Sequence, residues 1–480
     1  MNPPPLPPGE PVAVARRMND FPGRLSPMLV KELRQGMRTN LFSVAFILLQ
    51  ALMVLSLLAG LADPGSWAAS GFFWFFVVVI LLVIQPLRGI NALSSEYLLN
   101  TMDLIQLTKL DAWRITFGKW TALNAQTLLF VTGVLPYLVM RYFLGNVNFV
   151  IDLAGLFFLT LGSALASSIT IGFSAFRQFL LRGILVIVFG IGFVILYAAL
   201  QAVIFRPGIG SANFPTLGLA TVALIYGCFF FLSFGASRIA PPSENHSTRK
   251  RLVALILTFL SLSFLWFGID EAVLAVVSLI LGFACIDALT EPLPVYAKVL
   301  EPFRKNSLTR LASLVLTPGW LGGLGFFFLC FCIAAALARF AFGPIFGRLA
   351  WDTPVIFVTG MVSVANLILF PLIFIHLFFP KHASGSFTFG IYIFIQACLL
   401  LLTIMTGALA SALSRYDELI YCLVPIPSVL LVALENGGSG SEAKLIYLAA
   451  ALLSFLLGFA MPMLRQRNAI ADYLRHLKEL

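Results

Sequence analysis

The chain has 480 residues, of which 60% are hydrophobic and only 11% are charged. Soluble domains carry about 25% charged residues, so this composition excludes a soluble globular protein. The net charge of +10 does not predict nucleic-acid binding, because the basic residues are scattered among loops and form no long basic tract. Apolar runs of about 20 residues, without two-residue alternation, predict membrane-spanning helices rather than an outer-membrane barrel.

The chain divides by composition into four parts. Residues 1–25 are rich in proline and predict a disordered cytoplasmic leader rather than a signal peptide, because no apolar run follows the start directly. Residues 26–240 and 252–480 each contain six apolar runs. The basic stretch 241–251 lies between these two halves and predicts a cytoplasmic linker. No sequence repeat relates the halves.

Residues 26–40, SPMLVKELRQGMRTN, precede the first apolar run. Apolar residues recur there at three- and four-residue steps, and the charged residues Lys31, Glu32 and Arg34 occupy the other face. This pattern predicts an amphipathic helix that lies on the cytoplasmic membrane surface and leads into the first span. A simple topological anchor would have the same pattern.

Twelve apolar runs are long enough to cross a membrane, which predicts an all-α polytopic fold. They cover approximately residues 41–62, 68–88, 121–140, 150–176, 183–205, 215–236, 252–269, 271–289, 320–341, 354–379, 387–412 and 443–464. With both termini inside, the predicted cytoplasmic segments contain all but six of the 31 lysines and arginines. The six exceptions are Arg141, Arg206, Arg339, Arg348, Arg415 and Lys444. Because basic residues concentrate in cytoplasmic loops, we predict that both termini are cytoplasmic.

Residues 416–434 form an apolar segment that is short and interrupted by Pro425 and Pro427. If this segment crossed the membrane, Arg465 and Arg467 would face outside. We therefore predict a re-entrant or interfacial element on the outer side, although a thirteenth span stays open as an alternative.

No pattern typical of a catalytic or metal site occurs in the sequence. Gly118 and Lys119 are followed by Trp120, and position 113 is Trp113, so the phosphate-binding loop GxxxxGK[ST] is absent. The four histidines are far apart and form no HExxH pair, so no metal site is expected. We expect this chain to bind no cofactor, and any ATP and Mg²⁺ to be bound by another chain.

The predicted span interiors contain neutral polar side chains but lack ionisable ones. Their amides are Gln50, Gln85, Gln126, Asn366 and Gln396. Ion-coupled carriers usually need a carboxylate, a histidine or an arginine well inside the bilayer. The composition therefore disfavours an ion-coupled carrier, and the amides are more typical of helix packing.

The segment SSEYLLNTMDLIQLTKLDAWRITFGKW, residues 94–120, lies between the second and third spans on the predicted inner side. Leu98, Met102 and Ile105 follow one apolar stripe, and Asp111 suits the N-cap of a following helix. We predict a short helix, a turn and a second helix start, with a polar side toward the cytosol. A solvated loop helix of any membrane protein would also be amphipathic.

This layout resembles the permease subunits of type-2 ABC transporters. Those proteins have a proline and a KEL-like sequence in the interfacial helix, matched here by Pro27, Lys31, Glu32, Leu33 and Arg34. After the second span they have a pattern close to S-x-E-x-x-x-G-T-x-D-L-L and then G-K, matched here by Ser94, Glu96, Thr101, Asp103, Leu104, Ile105, Gly118 and Lys119. Asn100 replaces the usual glycine, and Thr108-Lys109-Leu110 replaces the proline-containing turn. The resemblance covers about the first half of the chain.

The resemblance implies a transport component rather than an enzyme, an exporter in the plasma (inner) membrane of a bacterium. Its coupling helix would dock on a cytoplasmic ABC-type ATPase, and a second permease chain, a second copy or its own second half would complete it. The implied coupling residues are Glu96, Thr101, Asp103, Leu104 and Lys119, and those of the interfacial helix are Lys31, Glu32 and Arg34. An ion-coupled secondary transporter, a membrane scaffold and a lipid-modifying enzyme stay open as alternatives.

Overall fold

The computed structural model is helical throughout the part of the chain that it describes, with no strand among those residues. That part comprises residues 27–62, 67–98, 111–144, 148–176, 182–187, 190–192, 214–241, 244–293, 303, 307–340, 354–378, 388–412, 420–421, 424, 426–435, 441–468 and 470–471. The chain forms two compact units, Met1–Arg177 and Gln178–Leu480. These units are defined by how the chain packs, whereas the two halves on either side of residues 241–251 were defined by composition. The division into those halves therefore stays a prediction. The predicted leader, 1–25, lies outside the described residues.

Eleven helices in the described part are long and apolar enough to cross a membrane, which confirms a polytopic α-helical membrane protein. They are Asn40–Ala62, Gly71–Glu96, Ala112–Leu144, Phe149–Phe173, Phe214–Ile239, Ser247–Phe267, Asp270–Leu289, Trp320–Arg339, Val355–Phe378, Thr388–Ala412 and Ala443–Arg465. The remaining predicted span, 183–205, overlaps a shorter apolar helix, Arg182–Gly192, and its residues from 193 on lie outside the described part. The orientation of the termini stays a prediction.

The first unit begins with the helix that the amphipathic pattern predicts. Helix α1 (Pro27–Met37) is followed after a two-residue turn by α2 (Asn40–Ala62), the first span. Thr39 Oγ1 donates a hydrogen bond of 2.7 Å to the Gly36 carbonyl oxygen and so satisfies one of the carbonyls that every helix leaves open at its end. On α1 the apolar Leu33 is half-buried, whereas the charged Lys31 and Arg34 are exposed.

The second span is irregular along its length. It consists of α3 (Trp67–Val78), a π-helical turn (Val79–Ile84), one α-helical turn, a 3₁₀ turn (Arg88–Asn91) and α4 (Ser94–Leu98). The helical path continues to Glu96, beyond the predicted end near residue 88. It continues because the polar residues from Arg88 on form hydrogen bonds and ion pairs within the unit.

Two long helices complete the first unit. Helix α5 (Ala112–Leu144) has 33 residues, or about 50 Å, which exceeds the hydrocarbon thickness of about 30 Å. It begins directly after Asp111, as predicted for a helix start there, and its first turns precede the predicted third span. Helix α6 (Phe149–Phe173) is capped by Asn148, whose side-chain oxygen accepts hydrogen bonds from the first turn. Both α1 and α2 pack on α5, and α5 packs on α6.

The second unit contains nine longer helices among its described residues. They are α7 (Phe214–Ile239), α8 (Ser247–Leu262), α9 (Asp270–Leu289), α10 (Ser307–Leu316), α11 (Trp320–Phe340), α12 (Pro354–Phe378), α13 (Thr388–Ala412), α14 (Pro427–Glu435) and α15 (Ser441–Arg465). Helices α8 and α9 form a hairpin against α7, and α9 also packs on α11. A second group of packed helices consists of α12, α13, α14 and α15.

Helix α10 is amphipathic and leads directly into a span, as α1 does in the first unit. It packs against α11 at very short range. A Cβ atom added at Gly325 of α11 would overlap the Leu314 carbonyl oxygen of α10, so only glycine permits this approach. No helix was predicted at this position.

Helix α14 covers the second part of the predicted re-entrant segment, 416–434, and ends one residue beyond it. Its nine residues span only about 14 Å, too little to cross a membrane alone. Val429 and Leu430 are fully buried, and α14 packs against α12 and α13. Part of the segment, including residues 416–419, lies outside the described residues, so its re-entrant character stays a prediction.

Candidate functional site

Lys119 is the centre of an ion cluster in the first unit, which we call the Lys119 cluster. Its Nζ atom lies 2.8 Å from Glu32 Oε1 on α1 and 3.0 Å from Glu96 Oε1 at the end of the second span. Lys31 Nζ lies 3.6 Å from the same Glu96 oxygen. The cluster therefore joins α1, the second span and α5 through one ammonium group.

The inner members of the Lys119 cluster are buried. The side chains of Lys119 and Glu96 are 5% and 9% exposed, whereas those of Glu32 and Lys31 are 20% and 53% exposed. Buried charges need partners, and removing one member of a buried pair typically costs about 3–5 kcal/mol. Exposed pairs are worth at most about 1 kcal/mol, so Lys119–Glu96 is the strong contact and Lys31–Glu96 the weak one.

The cluster closes both flanks of the segment 97–111. Glu96 lies at the last residue of the span that leads into this segment, and Lys119 lies two turns into α5, the helix that follows it. Packing of α1 on α5 brings Glu32 to the same point. The two ends of the segment are therefore linked to each other and to α1 through charge-assisted hydrogen bonds.

The predicted site residues fall into three groups. Lys31, Glu32, Glu96 and Lys119 come together in the Lys119 cluster. Arg34 lies on the exposed face of α1, where it makes contacts of its own. The remaining candidates, Thr101, Asp103 and Leu104, lie outside the described residues, so their predicted role stays a prediction.

Arg88 also belongs to this region. From the sequence it was counted only among the basic residues that predict the orientation of the chain in the membrane. Its guanidinium donates hydrogen bonds to Gln85 Oε1 at 2.8 Å, to the Gly36 carbonyl oxygen at 2.9 Å and to Thr39 Oγ1 at 3.2 Å. It also lies 5.5 Å from the centre of the Phe42 ring, within cation–π range. Arg88 thus fastens the turn between α1 and α2 to the second span. The sequence signal for this contact was an arginine three residues after a glutamine that was predicted to lie inside a span.

A second ion cluster occurs in the second unit. The sequence analysis did not predict that its residues contact one another. Lys250 and Arg251 in the first turns of α8 pair with Asp287 and Glu291 at the end of α9. All four are almost fully shielded, with side chains 2–14% exposed. We call this group the Arg251 cluster.

The Arg251 cluster holds the ends of α10 and α11. The Arg251 guanidinium donates to the carbonyl oxygens of Val315, Thr317 and Gly319, at and just beyond the end of α10. The Gly319 amide in turn donates to Glu291 Oε2 at 3.2 Å, directly before α11. One arginine and one carboxylate therefore satisfy four backbone groups of the α10–α11 turn.

Electrostatics keep the Glu291 carboxyl ionised. Burial alone would raise the pKa of Glu291, but the charges of Lys250 and Arg251 and the hydrogen bonds from Ser247 and Gly319 outweigh burial and lower this pKa from 4.5 to about 2. The hydroxyl of Ser247, in the first turn of α8, contacts the same carboxylate. The Arg251 cluster is therefore a fixed ionic joint at neutral pH.

Three of the five amides predicted inside the spans are buried in the helix bundle, and the other two, Gln50 and Gln396, are half-buried. Gln85 and Gln126 are each 1% exposed, and Asn366 is fully buried. Asn366 donates to the Ala451 carbonyl and to Ser454 Oγ, both at 2.7 Å, and so joins α12 to α15. This contact supports helix packing for Asn366.

One buried ion pair lies between α5 and α6. Arg141 Nη1 and Asp152 Oδ2 are 3.5 Å apart, and the Arg141 guanidinium carbon is 4.3 Å from the centre of the Phe73 ring. Both residues lie within a turn or so of the α5–α6 connection. The pair ties neighbouring helix ends together, which agrees with the prediction that charges sit at span ends.

Comparison of the chain with protein-family models, with curated proteins and with solved structures gave no match. The described geometry therefore supports a class, a polytopic α-helical membrane protein with two ionic joints, and leaves its activity to be argued from those joints.

Proposed function

We propose that this chain is the membrane-spanning permease subunit of an ABC transporter, an exporter driven by a separate cytoplasmic ATPase. The observation that carries the proposal is the Lys119 cluster. Lys119 joins the two flanks of the segment 97–111, where the family resemblance places the coupling helix, and joins both to α1.

Such a joint has the mechanical property that coupling needs. A force applied to a loop moves the adjoining helices only if the loop ends are held together, because loose ends absorb the displacement. Charge-assisted hydrogen bonds of 2.8 Å and 3.0 Å in a largely buried setting resist that loosening. Movement of the segment 97–111 would then displace the second span, α5 and α1 as one body, a rigid-body response typical of switching proteins.

In this proposal the residues have separate tasks. Thr101, Asp103 and Leu104 would contact the ATPase, while Glu96 and Lys119 would hold the frame behind them. Lys31, Glu32 and Arg34 would anchor the frame at the membrane surface, with Glu32 inside the cluster. ATP and Mg²⁺ would be bound and hydrolysed by the partner. The second permease element would be another chain, a second copy or residues 252–480.

The proposal predicts a stable complex with an ABC-type ATPase and a separation of two defects. Asp103→Arg should abolish co-purification of the ATPase while the purified chain keeps its thermal stability. Lys119→Met should retain co-purification but reduce substrate-stimulated ATP hydrolysis by about tenfold or more, because the frame is loosened behind the docking surface. The matched control is Lys444→Glu, a charge reversal on the predicted outer side, which should leave both measurements unchanged.

The alternatives predict other results. An ion-coupled carrier would transport substrate without ATP and stop when the membrane gradient is collapsed. A scaffold or a lipid-modifying enzyme would show neither ATP-dependent nor gradient-dependent transport. Absence of any nucleotide-binding partner, together with normal function of Asp103→Arg, would refute the ABC proposal.

A further inference from the structure

The second span contains a backbone arrangement that the proposed function does not use. In the π-helical turn Val79–Ile84, the amide of Gln85 donates to the carbonyl oxygen of Ile80, five residues earlier. Single π-turns inside α-helices are rare and often occur at functional sites. The next residue is Pro86, which has no amide hydrogen.

Pro86 leaves one particular carbonyl without a donor. If the π register continued, residue 86 would donate to Leu81, five residues earlier, but proline cannot. The side chain of Ser163 on α6 donates to that carbonyl instead, at 2.6 Å. Because Leu81 and Ser163 are both essentially inaccessible to solvent, this hydroxyl is the donor that the π register requires.

A continuous α-helix would redistribute these bonds. The Gln85 backbone amide would then donate to Leu81, four residues earlier, so the Leu81 carbonyl would no longer need the Ser163 hydroxyl. The carbonyl left open by Pro86 would become that of Leu82. The two registers therefore differ by one residue and by which carbonyl the proline leaves open.

Two further contacts attach the same span to α6 beyond this defect. The Leu93 amide donates to Ser174 Oγ at 3.1 Å, outside any helical bonding pattern. A Cβ atom added at Gly89 would lie 2.6 Å from Thr170 Oγ1, so the backbones approach closely there. Ser163, Thr170 and Ser174 thus form a hydroxyl-lined track on α6, along which the inner half of the span lies.

Two buried polar atoms along this track, Gln85 Nε2 and Ser167 Oγ, have no hydrogen-bond partner within the part of the chain that the structure describes. Ser167 lies one turn after Ser163 on α6, and Gln85 lies four residues after Leu81, so the two atoms belong to the same level of the bundle. Their residues are 1% and 0% exposed. An unsatisfied buried polar atom costs about 1–3 kcal/mol, so the observed register is not fully satisfied.

We propose that the inner half of the second span is a two-state register hinge. One state is the observed π register, held by the hydrogen bond from Ser163 to Leu81. In the other, residues 79–87 are α-helical, the Leu81 carbonyl no longer depends on Ser163, and the Gln85 side chain turns toward Ser167. A one-residue change of register rotates the two parts of the span relative to each other by up to about 100° around the helix axis. Because the Lys119 cluster holds the end of the span at Glu96, this rotation would fall on the residues before the hinge.

The role of this hinge in transport rests on the proposed function, but the hinge itself does not. If an ATPase moves the segment 97–111, the register change would carry that movement from Glu96 into the middle of the membrane span. The Lys119 cluster would transmit the movement to the hinge, and the bound ATPase would favour the α-helical register.

The hinge can be tested on the purified chain alone in lipid nanodiscs, by amide hydrogen exchange of peptides within residues 79–98. Ser163→Ala should accelerate exchange there about threefold to tenfold, because the π register loses one buried hydrogen bond. The matched control is Ser168→Ala on the same helix, whose hydroxyl bonds the Leu165 carbonyl of its own helix and which should change exchange by less than about twofold.

Pro86→Ala provides the decisive second variant. With an amide at position 86, the defect disappears in either register, so adding Ser163→Ala to Pro86→Ala should have an effect of less than about twofold. Equal effects of Ser163→Ala and Ser168→Ala would overturn the hinge. So would an effect of Ser163→Ala that is unchanged in the Pro86→Ala background, since the hydroxyl would then act independently of the proline defect.

A final measurement separates the hinge from the proposed function. With the ATPase bound, replacing ADP by a non-hydrolysable ATP analogue should change exchange in residues 79–98. If the ATPase binds and exchange there is the same in both nucleotide states, the hinge plays no part in coupling. If no ATPase binds at all, the proposed function fails, while the Ser163 and Pro86 variants still decide whether the hinge exists.

Discussion

Replacing Lys119 by methionine is the sharpest perturbation of the first unit. Methionine keeps the apolar stem of lysine but removes the ammonium group, so the packing of α5 changes little. Glu96 would then be a buried carboxylate, 9% exposed, that keeps its longer contact with Lys31 at 3.6 Å. Glu32, at 20% exposure, can turn toward solvent more easily.

The magnitude follows from this difference in burial. Breaking a buried ion pair on one side typically costs about 3–5 kcal/mol. Lys31 is 53% exposed and compensates only weakly, because exposed pairs contribute at most about 1 kcal/mol. We therefore expect Lys119→Met to destabilise the protein by about 3 kcal/mol. Glu96→Gln should cost less, about 1–2 kcal/mol, because a neutral amide remains a hydrogen-bonding partner.

A double-mutant cycle isolates the interaction of Lys119 with Glu96. The double variant Lys119→Met/Glu96→Gln has neither charge of the pair, so no buried charge loses its partner within the pair. Its total destabilisation should therefore be about 1–2 kcal/mol, well below the sum for the single variants. The assay is equilibrium unfolding in mixed detergent–SDS micelles, followed by circular dichroism. Additivity of the two single variants within about 0.5 kcal/mol would refute the argument, since it would mean that the pair carries no interaction energy.

Three further predictions concern contacts outside this pair. Arg88→Lys should cost about 1–2 kcal/mol, measured by the same unfolding assay, because an ammonium cannot reproduce the forked contacts of a guanidinium. The stability that Glu291 contributes should be lost as pH falls from 4.5 toward 2, because its pKa is lower in the folded protein, and acid titration of Glu291→Gln should lack this loss. Gly325→Ala should destabilise by about 1–3 kcal/mol, as its Cβ meets the Leu314 carbonyl, whereas Gly407→Ala, with open space, should not.

The membrane class and the helix pattern were predictable because each depends on local sequence. The apolar runs set the spans, and the amphipathic spacing in residues 26–40 set α1, which the structure confirms as a helix over Pro27–Met37. The irregular second span was not predictable in detail. Its π-turn depends on a donor from another helix, here Ser163, and sequence alone does not place that hydroxyl beside Leu81.

The two ion clusters differ in how far the sequence could lead to them. Lys119, Glu96 and Glu32 were all singled out by the family resemblance, although their mutual contact was not predicted. The Arg251 cluster was not assembled, because Lys250 and Arg251 were interpreted as part of the basic linker 241–251, and Asp287 and Glu291 lie about 40 residues further along the chain. Its signal was available in retrospect: a Lys-Arg pair lies near the start of α8, and two carboxylates lie at the end of α9, the helix that returns to the same side.

The two clusters show how polar contacts can give the amphipathic helices α1 and α10 a specific attachment in addition to their packing on neighbouring helices. If such a helix lies at a membrane surface, as predicted for α1, lipid already covers part of its apolar face, and apolar contact alone does not select one neighbour. A specific attachment must come from polar contacts, which are strong where water is excluded. Lys119 and Arg251 provide such contacts at their respective helices, one through side-chain carboxylates and the other mainly through backbone carbonyls.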